Sequence, residues 1–266
     1  MKRPYIIFSL IVVSVVAIFA TSCKKEDNEN DTPITANGAF FSVSENSKVC
    51  FAPSNLTFTD ANYSFALYQY NDGGYFGWGT GNNPGLTSTN ENDYQHFYDW
   101  GYYIEGGYRT LTADEWMFLL YYRNNSLTKI GTGCVNGKPG LIILPDNWTL
   151  PDGCIFNDGF GADENDWSKN TYSIAQWQRM ESAGAVFLSA AGCRIGTSVN
   201  DVDQYGAYWT SSVYFDTTAQ TGYPAQYLLF RGDYVGWGAH YAYDWDQSSN
   251  DRAYGRSVRL ARDIVD

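Results

Sequence analysis

The sequence predicts an α+β fold that is rich in strands and loops. Two short segments carry the start signals of helices, and several apolar or aromatic runs have the length of strands. Aromatic residues make up 17% of the chain and glycine occurs 26 times, which favours a folded, loop-rich protein over a disordered one. No repeat occurs at a fixed period and no linker interrupts residues 38–266, so we expect one domain there.

Two capping boxes predict where the helices begin. Thr112 is followed three residues later by Glu115, and Ser173 is followed by Gln176 in the same way. In this pattern the hydroxyl accepts a hydrogen bond from the third residue of the helix, whose side chain reaches back to the capping residue. The second helix is expected to end at Gly184, where a left-handed C-terminal cap is common.

Strand-like runs flank and follow the helices. They occupy residues 39–43, 65–68, 140–145, 185–188, 207–210, 225–230 and 257–262. The run 140–145 is continuously apolar and is bounded by glycine and proline, which is typical of a strand buried on both faces. The stretch 70–93 is a long polar and aromatic loop, and we expect it to form a second wall of a binding face.

The N-terminal residues have the pattern of a lipoprotein signal peptide. A basic head, Lys2 and Arg3, precedes an apolar run over residues 5–20, which is shorter than the roughly 20 apolar residues of a membrane-spanning helix. The run leads into Ala-Thr-Ser-Cys, so residues 1–22 are expected to be removed and Cys23 to be lipidated. The alternative is an uncleaved N-terminal anchor.

Residues 23–37 are expected to be a disordered tether. The stretch directly after Cys23 is charged and has no apolar residue to bury. Its order, basic and then acidic, resembles the surface-export signal of Bacteroides-type lipoproteins. This resemblance implies an outer-membrane lipoprotein that faces outward, with retention in the periplasm as the alternative.

The net charge limits the expected partners. The formal charge is −12, and the 17 Lys and Arg residues are scattered through the chain. Because nucleic acids and anionic membranes are bound by clustered basic residues, neither is an expected ligand. Membrane contact is expected through the lipid anchor alone, and neutral or cationic partners match this charge better.

Four cysteines remain when Cys23 is lipidated, namely Cys50, Cys134, Cys154 and Cys193. Disulfides persist in an oxidising compartment, and four thiols allow three pairings, so one or two disulfides and buried free thiols are both open. The spacings contain no Cys-x-x-Cys, and histidine occurs only twice. A zinc site or a histidine-based catalytic group is therefore not expected.

Five segments carry a resemblance to a known family. They are residues 111–116, 140–148, 184–192, 208–212 and 255–260, and the same motifs occur in this order in a group of secreted Bacteroides-type proteins. That group looks like a branch of the C-type-lectin-like fold, near the relatives of the formylglycine-generating enzyme. The resemblance runs from about residue 38 to the C-terminus and implies two short helices, antiparallel sheets and long loops.

The aromatic and polar segment 231–251 is expected to bind a carbohydrate or a protein at the cell surface. Its rings offer large contact areas for stacking on sugars or packing on an epitope, and its carboxylate and amide groups offer hydrogen bonds. The expected ligand-binding residues are Tyr234, Trp237, His240, Tyr241, Tyr243, Asp244, Trp245, Asp246, Asn250 and Tyr254. The alternative is a glycine-rich β-hairpin whose rings pack on their own sheet.

The position of residues 233–254 also resembles that of the randomised segment in the variable proteins of diversity-generating retroelements. Tyr, Asp, His, Ala, Ser and Asn, which are frequent here, are residues that an adenine-mutated Asn codon can produce. A fixed loop of the same fold is the alternative, and the expectation of ligand contact is the same for both.

Two other classes of function remain open, a structural subunit of a cell-surface or fimbrial assembly and, with less support, a glycoside hydrolase. Enzymatic activity is not expected, because the formylglycine-generating relatives use a late cysteine pair and no cysteine follows Cys193. No cofactor or metal is expected either. Residues 157–166 are rich in Asp and Asn, but their spacing does not fit an EF-hand loop.

Overall fold

A computed structural model describes residues 38–213, 225–238 and 252–265. The chain divides into two compact units, residues 1–32 and 33–266, and every described residue belongs to the second unit. These residues form a mixed α+β structure that consists mostly of sheets, with two short α-helices, α1 (Ala113–Met117) and α2 (Ile174–Ser182). The coarse fold class expected from the sequence is therefore confirmed.

The strands are short and most of them pair with antiparallel neighbours. In chain order they are β1 (Phe41–Ser42), β2 (Lys48–Phe51), β3 (Leu56–Thr59), β4 (Asn62–Phe65), β5 (Arg109–Thr110), β6 (Ile130–Val135), β7 (Lys138–Ile143), β8 (Thr171–Tyr172), β9 (Val186–Ser189), β10 (Cys193–Ile195), β11 (Ser198–Asn200), β12 (Gly206–Val213), β13 (Ala225–Arg231), β14 (Tyr234–Gly238) and β15 (Leu260–Asp263). They form two four-stranded sheets, β1-β2-β15-β5 and β8-β6-β7-β9, a three-stranded sheet, β12-β13-β14, and the hairpins β3-β4 and β10-β11.

Both capping boxes form as the sequence predicts. The Thr112 hydroxyl accepts a hydrogen bond from the Glu115 amide at 3.2 Å, and the Glu115 carboxylate accepts from the Thr112 amide at 2.8 Å. Ser173 and Gln176 make the same two contacts at the start of α2. Gly184 has φ +99°, and a side chain there would collide with Ala39, so the expected left-handed cap is confirmed as well.

The apolar run 140–145 forms most of β7, which is buried on both faces as expected. β7 lies between β6 and β9 with a continuous antiparallel register that includes Leu141 opposite Leu188. One face joins the main hydrophobic cluster, which contains Leu141 and Ile143, and the other joins the cluster around Trp177. The one parallel contact in this sheet joins β6 to β8.

The prediction of a strand at residues 65–68 is wrong beyond Phe65, where β4 ends. The Ala66 amide donates to the Asn55 carbonyl at 2.9 Å, and the Tyr68 amide donates to the Asn71 side chain at 3.0 Å. These contacts turn the chain away from the hairpin. In the described residues, the five strands β1 to β5 precede α1.

The expected C-terminal strand begins later than the run 257–262 suggests, at Leu260. The Ser257 amide donates to Ala207 in β12, and the Val258 carbonyl accepts from the Leu56 amide in β3. These two residues therefore bridge separate sheets before the chain enters β15. β15 then pairs with β2, with Ala261 opposite Phe51, so the last strand lies beside one of the first.

All four cysteines in the described part are free. Cys50, Cys154 and Cys193 are buried and Cys134 is half-buried. Of the two alternatives left open by the sequence, the structure has the free thiols. Among the described residues, no helix is long and apolar enough to cross a membrane.

Candidate binding face

Both long connections of the three-stranded sheet leave from the same end. β12 and β13 pair with Val213 opposite Ala225, and β13 and β14 pair with Gly238 opposite Tyr227. Because neighbouring strands are antiparallel, the end of β12, the start of β13 and the end of β14 lie side by side. We call this the display end of the sheet. The segments 214–224 and 239–251 both join the described structure here.

The segment 239–251 is also anchored at its other end, through Arg252. The Arg252 guanidinium lies over the Trp78 ring, 4.7 Å from its centroid, and the Trp78 amide donates to the Arg252 carbonyl at 2.8 Å. The Trp78 indole N–H donates to the Thr210 carbonyl in β12 at 3.1 Å. Trp78 therefore fastens the returning chain to the same sheet that carries β14.

Next to this anchor, the Arg256 guanidinium packs among three aromatic rings. Its guanidinium carbon lies 3.6 Å from the Tyr227 ring centroid, 5.0 Å from that of Trp209 and 5.5 Å from that of Tyr254. Arg256 is buried, and a desolvated cation–π contact contributes up to about 2 kcal/mol. Together with β12–β14, Trp78 and Arg252, this stack forms what we call the display frame.

Three of the residues expected to bind ligand, Tyr234, Trp237 and Tyr254, lie in the described structure, each at a different place in the display frame. Tyr254 is half-buried in the stack below Arg252, and Trp237 pairs through its backbone with Leu228 one residue before the display end. Tyr234 starts β14 at the opposite end, so it lies roughly 13 Å from Gly238 along the strand. The structure does not bring Tyr234 to the display end.

Residues 231–238 form a hairpin and a strand, as the alternative interpretation of this segment proposed. The hairpin turn is docked on the loop 163–166, where the Gly232 amide donates to the Glu164 carbonyl at 2.9 Å and Arg231 pairs with the Glu164 carboxylate at 3.1 Å. The half-exposed Tyr234 ring lies against Gly236 in the same hairpin. This portion of 231–251 therefore belongs to the scaffold.

The other expected binding residues lie outside the described residues. These are His240, Tyr241, Tyr243, Asp244, Trp245, Asp246 and Asn250. Cys23, the signal peptide at 1–22 and the tether at 23–37 also lie outside them.

The loop 70–93 is partly packed into the core, and its role as a second wall of a binding face stays a prediction. Phe76 and Trp78 are buried, and both belong to the hydrophobic cluster that includes Trp209, whereas most of residues 82–93 is exposed. The loop also anchors the display frame through Trp78. Sequence reasoning missed this role because Trp78 and Arg252 are far apart in the chain, and its one local signal was the pair of glycines that flank the tryptophan.

The acidic residues of 157–166 organise a turn. The Asp166 carboxylate accepts from the Ser168 hydroxyl at 2.6 Å and from the amides of Ser168 and Ala162, and these bonds lower the pKa of Asp166 to about 2, the Ser168 hydroxyl having the largest effect. No group of three or more His, Cys, Asp or Glu residues within 38–213, 225–238 and 252–265 is placed to hold a metal ion.

Comparison with protein-family models, with curated proteins and with solved structures found no match to this chain. The described site is an aromatic-supported sheet end that holds both ends of a segment of thirteen residues, 239–251.

Proposed function

We propose that this chain is a surface-anchored lipoprotein that binds a glycan or a protein through residues 239–251. The observation that carries the proposal is the anchoring of this segment at both ends, by β14 at Gly238 and by Arg252 on Trp78. The segment itself contains three aromatic rings, one histidine, and six Asp, Asn, Ser and Gln residues before its last aspartate. Such a composition is typical of recognition loops.

A fixed frame favours binding because it lowers the entropy lost on association. Loop ordering opposes affinity, and holding both ends of a segment limits the conformations that a ligand must select. The rings can then stack on sugar rings or pack on an epitope, while the carboxylates and amides fix the orientation. No step of this mechanism requires a metal or a cofactor.

The domain is proposed to be C-type-lectin-like. The two short helices, the largely antiparallel sheets and the long loops are the features that the sequence resemblance implies, and they support this part of the proposal. The anchors Trp78 and Arg252 lie outside 239–251, so a frame of this kind tolerates changes within the segment. In the resemblance to retroelement-diversified proteins, residues 239–251 would therefore be the variable part of 233–254, and Arg252 would be fixed.

A binding screen tests the proposal. The full-length protein, purified in mild detergent, is screened against glycans and cell-surface proteins beside a variant with Tyr241, Tyr243 and Trp245 changed to alanine. We expect the affinity for any ligand found to fall at least about tenfold, because interface aromatics commonly contribute 1–2 kcal/mol or more each. Tyr122→Ala, which removes a 68% exposed ring elsewhere, is the matched control and should bind as the parent does.

Unchanged affinity in the triple variant would contradict the proposal. A triple variant that fails to fold, judged by its near-ultraviolet circular dichroism, would instead show that these rings are buried. That outcome would favour the structural subunit of a surface assembly.

A further inference from the structure

A second aromatic surface lies on the hairpin β3-β4 and the turn Trp100–Tyr103. Four rings form a continuous chain of contacts there, and we call them the tyrosine face: Phe58, Tyr63, Tyr103 and Tyr102. Their ring centroids are 5.0 Å apart for Phe58–Tyr63, 6.2 Å for Tyr63–Tyr103 and 5.3 Å for Tyr102–Tyr103. Tyr102 is 85% exposed and Tyr103 is 41% exposed. Phe58 and Tyr63 are partly buried and pack on the core beneath them. Exposed aromatic rings that continue a packed cluster in this way are typical of an interaction site.

The exposed rings stand on a locked turn. The Asp99 carboxylate caps it by accepting from the Gly101 amide at 2.9 Å, and it also accepts from the Thr110 amide at 3.0 Å and hydroxyl at 2.9 Å. Trp100 is fully buried in the core. A side chain at Gly101 would collide with the Tyr108 backbone, so the turn lies directly on the following strand.

The hairpin side of the face is fixed as well. The Tyr63 hydroxyl donates to the Gly81 carbonyl at 2.8 Å, and the Tyr103 ring lies over the same glycine. The scaffold therefore fixes Tyr63 and Tyr103, and the exposed Tyr102 ring packs edge-on against Tyr103. Preorganised aromatics of this kind lose little entropy on binding.

The chain segments that form this face carry acidic residues and no basic ones. Residues 49–108 contain no Lys or Arg and include six acidic residues. Asp60 in the β3-β4 turn and Glu105, two residues after Tyr103, are both exposed, and neither carboxylate has an ion-pair partner in the described part of the chain. The cation–ring contacts among the described residues fall on other rings.

We propose that the tyrosine face binds a Lys- and Arg-rich segment of a partner protein. Ring faces attract cations through their quadrupole, and the carboxylates of Asp60 and Glu105 supply the opposite charge at the rim. The same negative charge repels phosphate-bearing ligands. The tyrosine face includes none of residues 239–251, and the proposal does not depend on their role.

The test measures binding of a short fluorescent Lys- and Arg-rich peptide to the full-length protein in mild detergent. Two variants are compared with the parent: Tyr102→Ala with Tyr103→Ala, and Tyr122→Ala as a matched exposed tyrosine on another surface. We expect the double variant to bind about tenfold more weakly and the Tyr122 variant to bind as the parent does, because two cation–π contacts are lost only in the first. A double variant of the carboxylates, Asp60→Asn with Glu105→Gln, should weaken binding and reduce its dependence on salt.

A control peptide with Gln in place of every Lys and Arg should not bind measurably. The proposal would be overturned if the double tyrosine variant and the Tyr122 variant bound the basic peptide equally well. Binding would then reflect only the net charge of the protein. Binding of the Gln peptide, or of neutral oligosaccharides, that is lost with Tyr102 and Tyr103 would overturn it in favour of a neutral ligand. If the double variant does not fold, Tyr102→Ala alone decides, because its exposed ring is not needed for packing.

Discussion

At the scale of single residues, the most unusual group is Arg259, a fully buried cation. Its guanidinium donates to Gln69 Oε1 and the Phe187 carbonyl, both at 3.1 Å, and more weakly to Asn55 Oδ1 at 3.4 Å. Burial lowers the pKa of Arg259 to about 10, so it stays charged at neutral pH. In the described residues no carboxylate forms an ion pair with it, and Gln69 lies between it and Glu181.

Glu181 has the opposite response to burial. The half-buried carboxyl lines a cavity of about 290 Å³ together with Gln69 and Arg262. Desolvation raises the pKa of Glu181 above its ordinary 4.5, although Gln69 and Arg259 act in the opposite direction. The fold therefore favours the protonated form of this acid. Stability that depends on this proton is present below the ordinary pKa and is lost as the pH rises through the raised pKa.

Glu181→Gln tests this linkage. Because glutamine resembles the protonated carboxyl, we expect the variant to be more stable than the parent at about pH 8 and equal to it below about pH 4. Urea unfolding at both pH values measures the difference, with the exposed Glu105→Gln as the control that should show none. A variant that is less stable than the parent at pH 8 would contradict the inference. It would show that the negative charge of Glu181 stabilises the buried Arg259 cation.

At the scale of elements, the helix starts are the best-determined local features. α1 is held by its capping box and also from outside, where Arg109 donates to the Glu115 carboxylate at 2.6 Å and to Asp263 at 2.7 Å. The cap therefore links α1 to β5 and β15. α2 depends on its own cap at Ser173.

The Thr112 cap has a testable contribution to stability. Thr112→Ala should lower the free energy of unfolding by about 1 kcal/mol, since an orphan amide at the helix start loses its acceptor. Thr112→Ser keeps the hydroxyl and should stay within about 0.5 kcal/mol of the parent. Thermal unfolding of both variants measures this. Equal loss in the two variants would show that the methyl group, and not the hydrogen bond, is what matters.

Elements with local signals were predictable from the sequence, and those set by distant partners were not. The caps at Thr112 and Ser173, the left-handed Gly184 and the buried strand β7 each follow from a few neighbouring residues. The late start of β15 depends on hydrogen bonds to β3 and β12, which no local pattern encodes.

The same limit applies to the candidate site. Composition singled out residues 231–251, but only tertiary contacts divide them into a hairpin and a segment carried on the display frame. Tyr234 illustrates this, because it belongs to an aromatic-rich segment of the sequence, while in space it lies against Gly236 and pairs with Arg231 in the hairpin. The anchor formed by Trp78 and Arg252 joins residues that are 174 positions apart, and no spacing rule links them.

At the scale of the whole molecule, the described core is extensive without residues 239–251. Three clusters of buried side chains lie between the sheets and helices, and they include Trp100, Trp116, Trp177 and Trp209 in fully buried positions. The display frame rests on the second of these clusters through Trp209 and Tyr227. The described residues thus have an extensive core of their own.

Thermal unfolding of a chain with residues 240–250 replaced by a Gly/Ser segment of equal length tests whether these residues are displayed outside the core. If these residues form a displayed binding segment, the variant should unfold cooperatively within about 2 °C of the parent, as expected when surface side chains are removed. Loss of cooperative unfolding, or a fall of more than about 10 °C, would mean that the rings of this segment belong to the core, and it would contradict the account of a displayed recognition segment.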